Sequence, residues 1–206
     1  MLTIGLSGGV ASGKSLVARL LAERGAEVLD ADAAGHTVLE YPEVKAALAA
    51  RWGTRVLNAA GKIDRPTVGR IVFEPTPGGR EELAFLEGLS HPRIGNLLED
   101  QRTAAAARNA PAVVLDAPIM FKAGWDRLCD VLIFVDAPLP LRRERALTRG
   151  WDEAELDRRE SLQLPLAEKR ARSQVVIDNS GPISAIRPQV ERFWREWVER
   201  PDKDSE

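Results

Sequence analysis

A chain of 206 residues with 44% apolar content has room for one hydrophobic core, with lobes inserted into it, and suits an ordinary globular domain. Its net charge of −2 gives no bulk signal for a nucleic-acid or membrane-surface partner. No apolar stretch is long enough to span a bilayer, and no basic segment with an apolar run and cleavage site opens the chain, so a soluble cytoplasmic protein is expected.

Leu2–Ser7 reads as a short buried strand. Leu16–Arg24 reads as a helix, with Val17, Leu20 and Leu21 on one face and Gly25 as its stop. Between them, Gly8-Gly9-Val10-Ala11-Ser12-Gly13-Lys14-Ser15 satisfies every fixed position of G-x-x-x-x-G-K-[ST]. Strand, glycine loop and helix together make a phosphate cradle: glycine lets backbone N–H groups converge on phosphate oxygens, and the helix N-terminus adds a favourable dipole. The segment is expected to bind nucleotide phosphates through Gly8, Ala11, Ser12, Gly13, Lys14, Ser15 and Leu16. Lys14 reaches the outer phosphates, and Ser15 holds the accompanying magnesium ion.

Four further apolar runs follow: Ala26–Leu29, Ala112–Leu115, Val131–Val135 and Val175–Ile177. Most are rich in Val, Ile or Leu without polar alternation, the pattern of parallel strands covered on both faces. Helical segments separate them, so the fold class expected is α/β with a five-stranded parallel sheet. Asp30-Ala31-Asp32 follows the second run. Strand ends of a parallel sheet share one rim, which brings this pair near the P-loop phosphates, where an acceptor hydroxyl needs a base or an orienting carboxylate. In an extended segment the two point to opposite sides. Asp32 is assigned to the acceptor and Asp30 to a structural role, the other reading being that one of them caps the following helix.

Residues 31 to 110 are too many for a simple crossover and must hold an inserted helical lobe, with helices at Leu83–Leu89 and Ile94–Ala107 punctuated by His91-Pro92. Asp116 ends the third strand and points at the ligand edge of the sheet. It is a candidate for magnesium or its water shell, against a helix cap. Cys129 is the only cysteine, which excludes an internal disulfide and a thiolate metal site; it reads as a buried, reduced structural thiol. From Leu139 to Arg172 the chain is dense in both charge signs. Arg142, Arg145 and Arg149 share one face of a helix. With Arg158, Arg159 and Arg170 nearby they suit a polyphosphate clamp, or alternatively a solvated helix laced with ion pairs to Glu144, Asp152, Glu153 and Glu155. Ile186, Val190, Phe193, Trp194 and Trp197 form a helical core stripe, and polar Pro201–Glu206 is expected to fray.

A P-loop alone does not choose among GTPases, motor ATPases and small-molecule kinases. The chain has no Asn-Lys-x-Asp guanine reader, and Asp116 is followed by Ala117-Pro118 where a motor-type ATPase usually has a catalytic Glu. The order and spacing of the P-loop, Leu29-Asp30-Ala31-Asp32, Gly61-Lys62-Ile63-Asp64-Arg65, Ile71-Val72-Phe73, His91-Pro92-Arg93-Ile94, Asp116-Ala117-Pro118-Ile119-Met120-Phe121, Arg159 with Gln163 and Pro165, Glu168-Lys169 and Ile177-Asp178-Asn179 resemble the dephospho-CoA kinase family over nearly the whole chain. The resemblance implies transfer of the ATP γ-phosphate to the ribose 3′-hydroxyl of dephospho-CoA, the last step of CoA synthesis, with Mg2+ as cofactor and no obligate protein partner. It implies a single P-loop kinase domain over residues 1–206, with a CoA lobe at about 60–110 and a lid at about 139–172. Residue by residue, it implies that Asp32 orients or deprotonates the hydroxyl, with Lys14 and Arg145 as its catalytic companions. Arg65 and His91 would belong to the substrate lobe, Arg145 and Arg149 to the lid, and Asn179 would lie near the adenine. His91 before Pro92 also reads as a helix start, and Asn179-Ser180-Gly181 as a turn.

The chain departs from the family pattern at Lys122, where Glu is usual, and at Ser173-Gln174, where an Ala-Asp pair is usual; His36 stands where Arg is common. The rival activity is a nucleoside or nucleotide kinase, which would share the P-loop, Asp116 and the lid. The rival from another class is a nucleotide-dependent switch, which would bind nucleotide without acceptor-dependent turnover.

Overall fold

The five apolar runs pair into one sheet in a computed structural model that describes residues 1–199. β1 (Leu2–Gly8), β2 (Glu27–Asp30), β3 (Ala112–Asp116), β4 (Val131–Asp136) and β5 (Val175–Asp178) lie in the order β2-β3-β1-β4-β5. Every pairing is parallel, as continuous apolar strands with helical crossovers require. Asp116 is in register with both Leu6 and Asp30, so β1, β2 and β3 end along one edge.

The residues fall into two compact units, Met1–Asp30 with the described residues from Gln101 on, and Ala31–Asp100. In the first unit, α1 (Lys14–Ala22) and α9 (Ile183–Trp197) cover one side of the sheet. Val17, Leu21, Ile186, Val190, Phe193 and Trp194 pack there with Ile4, Leu6, Val114 and Ile133. Each such burial is worth about 1.5–3 kcal/mol. Trp197 closes the α9 stripe at its margin: it is 38% exposed and stacks on Phe193 with ring centroids 6.1 Å apart. Between β4 and β5 the chain forms α6 (Leu139–Leu147), α7 (Glu153–Ser161) and α8 (Leu166–Ala171). α7 opens on Asp152, whose carboxylate accepts the Glu155 N–H at 2.8 Å. A small cluster of Val10, Ala11, Ala146 and Leu156, flanked by Trp151, seats α6 and α7 on the loop after β1.

Arg149 does not continue the helix that carries Arg142 and Arg145. Gly150, at φ 75°, ends it: Trp151 N donates to Ala146 O at 3.0 Å and Gly150 N to Leu147 O at 2.9 Å. These are the paired bonds of a Schellman ending, and they put Arg149 in the closing turn. Cys129 lies beside Met120 and Trp125, and burial, with Asp126 and Asp130 nearby, pushes its thiol up to about 12.

The second unit holds α2 (Ala31–Leu39), α3 (Pro42–Trp52), α4 (Arg65–Val72) and most of α5 (Pro77–Ala107). Glu82 on α5 ties α3 down, accepting from Trp52 Nε1 at 2.7 Å and from Arg51 at 2.9 and 3.0 Å. The two helices expected at Leu83–Leu89 and Ile94–Ala107 are one, running on through Pro92. Proline removes one helical donor, and extra donors reach the carbonyls flanking the break: Ser90 Oγ to Leu86 O and Arg93 Nη1 to Leu89 O, both at 2.7 Å. Pro201–Glu206 lies outside the described residues. Among the described residues no helix is long and apolar enough to cross a membrane.

Candidate active site

The loop between β1 and α1 turns on two left-handed residues, Ala11 at φ 59° and Gly13 at φ 98°. Ser12 N donates back to Gly9 O at 3.2 Å. The N–H groups of Ala11, Gly13, Lys14 and Ser15 make no hydrogen bond with other described residues. Ser7 Oγ and Ser12 Oγ are buried and likewise have no partner among the described residues. Free N–H groups converging at a helix N-terminus form a concave anion site.

Side chains far away in sequence hold this loop. Asn179 Nδ2 donates to Ser12 O at 2.6 Å. Arg145 donates through Nη1 to Ser12 O at 3.2 Å and through Nη2 to Asn179 O at 3.0 Å. The fit is close: a Cβ on Gly13 would lie 2.0 Å from Asn179 Nδ2. Arg145, assigned to catalysis and the lid, and Asn179, assigned to the adenine, thus meet on the P-loop backbone itself. Arg142, expected in a phosphate clamp, is instead buried under the loop and ion-paired with Glu160.

Positive charge is in surplus here. Lys14 Nζ donates to Gly9 O at 3.2 Å. Burial pushes the Lys14 ammonium below its usual value; Asp116 opposes that shift, Arg149 adds to it, and Glu160 and Arg142 follow with smaller opposing and reinforcing effects. Lys169 on α8 is buried, and its Nζ donates to Gly8 O at 3.2 Å and to Gln163 Oε1. Burial first, then the neighbouring Lys14, brings it down to about 8. Burial also lowers Arg145. Lys14, Lys169, Ser7, Gly8, Ala117 and Pro118 line one small cavity. Cations held below their ordinary protonation strength beside unpaired N–H groups are an arrangement that a polyphosphate anion relieves. Trp151 lies against this region, with the Arg159 guanidinium 4.1 Å and that of Arg149 5.7 Å from its ring centroid.

Asp116 at the end of β3 is half-buried, with Lys14 in its field. Ser15, in the first turn of α1, is exposed. A hydroxyl and a carboxylate are hard oxygen donors of the kind magnesium takes, and magnesium is usually held by one or two protein oxygens plus substrate phosphates. Among the described residues no group of three or more His, Cys, Asp or Glu side chains forms a metal cage. Leu16 follows, its N–H bonded to Gly13 O at 3.0 Å.

Asp30 ends β2 in the first unit. Asp32 lies in the first turn of α2, at the start of the second unit, and is exposed. The extended alternation expected of the pair is replaced by a helix that begins at Ala31. Within the second unit, Arg65 opens α4 and its Nη1 meets His36 Nε2 at 2.5 Å. The family departure at His36 therefore touches a residue assigned to the substrate. His91 is half-buried on α5, directly before Pro92. Lys122 is exposed. Ser173 and Gln174 have local duties: Ser173 Oγ donates to Lys169 O at 2.9 Å, and Gln174 Oε1 accepts the Leu132 N–H at 2.8 Å.

Glu168-Lys169 entered sequence reasoning only as a family motif with no role for Lys169, and Glu160 and the bracing role of Arg142 escaped it. Glu168-Lys169 carries no local pattern that distinguishes a buried lysine from a solvated one, and Glu160 lies in a helix of mixed charge.

Comparison with known proteins places the chain in a family. The model of the dephospho-CoA kinase family matches residues 2–185. A dephospho-CoA kinase of Deinococcus radiodurans is 41% identical over 194 residues, covering 94% of this chain and 91% of its own. One of Bradyrhizobium diazoefficiens is 38% identical, covering 98% and 99%. A crystal structure from Thermus thermophilus superposes with a TM-score of 0.78 at 32% identity, covering 95% of this chain and 97% of its own. The dephospho-CoA kinase of Campylobacter jejuni, at 21% identity and a TM-score of 0.66 over 96% and 98%, shares the fold.

Proposed function

The chain belongs to the dephospho-CoA kinase family, and we propose that its P-loop cations and Asp32 divide the work of phosphoryl transfer. The protein is an ATP-dependent kinase that phosphorylates dephospho-CoA in CoA biosynthesis. The observation that carries the site assignment is the P-loop itself, with free N–H groups inside a surplus of positive charge.

In this reading the phosphates of ATP lie on the N–H groups of Ala11, Gly13, Lys14 and Ser15, with Ser12 between them and Gly8 and Leu16 at the two ends of the segment. Lys14 neutralises charge on the β- and γ-phosphates. Arg145 and Arg149 meet the transferring group, and Asn179 keeps the loop in shape beside the adenine. Arg65 and His91 bind dephospho-CoA. Ser15 and Asp116 would hold Mg2+, directly or through water, and the ion when bound neutralises phosphate charge. The 3′-oxygen of the acceptor ribose forms a bond to the γ-phosphorus as the bridging oxygen of ADP departs, and the hydroxyl proton passes to Asp32. Little charge develops on the attacking oxygen in a loose transition state, so Asp32 chiefly aligns the hydroxyl and takes its proton late. The same reading has the enzyme work in the cytoplasm on ATP and dephospho-CoA alone.

Single-turnover transfer to dephospho-CoA tests the assignment. Asp32→Asn should lose about 10²–10⁴ in rate with ATP affinity nearly unchanged. Asp30→Asn should cost less activity and more stability. The reverse order would reassign the pair, and indifference to both would remove the carboxylates from the mechanism.

A further inference from the structure

Glu160 reaches the P-loop from a position 150 residues away in sequence. Its Oε1 accepts the Val10 N–H at 3.1 Å and pairs with Arg142, whose Nη1 also donates to Val10 O at 3.4 Å and whose Nε donates to Ala137 O at 3.2 Å. Arg142 is only 4% exposed, and Glu160 lies beside it at the loop. One ion pair therefore takes both backbone polar groups of Val10. Gly9 permits the approach, since a Cβ there would stand 2.8 Å from Arg142 Nη1.

The two properties of that carboxylate act in opposite directions. As an acceptor it fixes Val10, and so the chain direction from which the following N–H groups emerge. As a charge it lies against Arg142 at the loop and in the field of Lys14 and Lys169, and it repels any other anion that approaches them. We propose that Glu160 is a positioning residue that shapes the P-loop through its hydrogen bond while serving as the resident counter-charge of the cationic cluster, so that its charge weakens nucleotide binding. This rests on the reading that the P-loop takes nucleotide phosphates.

Glu160→Gln separates the two properties, because the amide oxygen still accepts the Val10 N–H and the charge is gone. Calorimetric titration with ADP and with ATP at low and high salt should show the variant binding both about fivefold more tightly at low salt, with the gain shrinking as salt screens the cluster. The kcat of Glu160→Ala, which loses the tie as well, should fall well below that of Glu160→Gln. A purely structural role would lower the melting temperature without moving affinity or its salt dependence. Equal or weaker nucleotide binding by Glu160→Gln overturns the proposal. Removing one partner of a buried ion pair is itself destabilising, so amide exchange on the unmodified, nucleotide-free protein supplies an independent measurement. The Val10 N–H should exchange slowly, and fast exchange there overturns the proposal equally. If the unmodified protein binds neither nucleotide, the P-loop reading falls together with this one. If it binds both and Glu160→Gln binds them alike, only the role of Glu160 falls.

Discussion

Gly13→Ala tests how tightly the P-loop is built. The residue sits at φ 98°, where an L side chain costs about 1–2 kcal/mol. Its new methyl would occupy the place of Asn179 Nδ2, 2.0 Å away. Displacing that amide breaks its 2.6 Å bond to Ser12 O and leaves buried polar atoms poorly paired, at about 1–3 kcal/mol. The sum is about 2–5 kcal/mol, or a fall in Tm of roughly 5–15 °C for a chain of this size. Asn179→Ala alone should cost the hydrogen-bond part only. In the double variant the methyl has room, so the clash disappears and the two effects overlap. Gly13→Ala/Asn179→Ala should therefore be no less stable than Gly13→Ala, a coupling of about 1–3 kcal/mol. Urea unfolding of the four proteins measures this directly, and a coupled ADP-release assay should show kcat/KM for Gly13→Ala down by about 10², since a cradle displaced by an ångström misaligns the phosphates. Strict additivity of the two substitutions would refute the argument, as would a Gly13→Ala enzyme of normal stability.

Arg145→Ala should cut kcat by about 10²–10³ and ATP affinity much less; loss of affinity with kcat intact would mean ground-state binding alone. Asp116→Asn should raise the magnesium concentration needed for half-maximal rate, and an unchanged requirement would make Asp116 structural. Lys169 titrates near 8 when folded against 10.5 for an ordinary lysine. From about pH 8 to 10.5 the unfolded chain therefore binds more protons at this residue, and its destabilising contribution, fully present below pH 8, fades as pH rises. Polyphosphate should raise that value, so ADP binding at pH 8, measured calorimetrically in buffers of different ionisation heat, should take up protons. Lys169→Arg, charged throughout, should take up fewer, and undiminished uptake would exclude Lys169 as the source.

The strands were legible because each is a continuous apolar run, and burial on both faces of a parallel sheet requires that pattern. The P-loop was legible because its fixed residues are adjacent in the chain. Other features depend on partners far away in sequence. The bond from Asn179 to Ser12 spans 167 residues, and nothing around Asn179 marks it as a brace. Lys169 and Glu160 look like solvated helix residues until α7 and α8 are folded against the loop. The helix runs on through Pro92 despite the one donor that proline removes, and Gly150, at φ 75°, ends α6 so that Arg149 falls in its closing turn. Asp30 and Asp32 were read as an extended pair because the chain gives no spacer between strand and helix, and α2 in fact starts in that interval.

Trp151 packs beside Val10 and Ala11 and has two guanidinium groups near its ring. An indole so placed is an optical probe installed by the fold. Its emission responds to the electric field of those cations, which phosphate would draw away or neutralise. With Trp52, Trp125, Trp194 and Trp197 each replaced by Phe, the remaining signal would follow nucleotide arrival in real time, with no dye attached and no modified substrate.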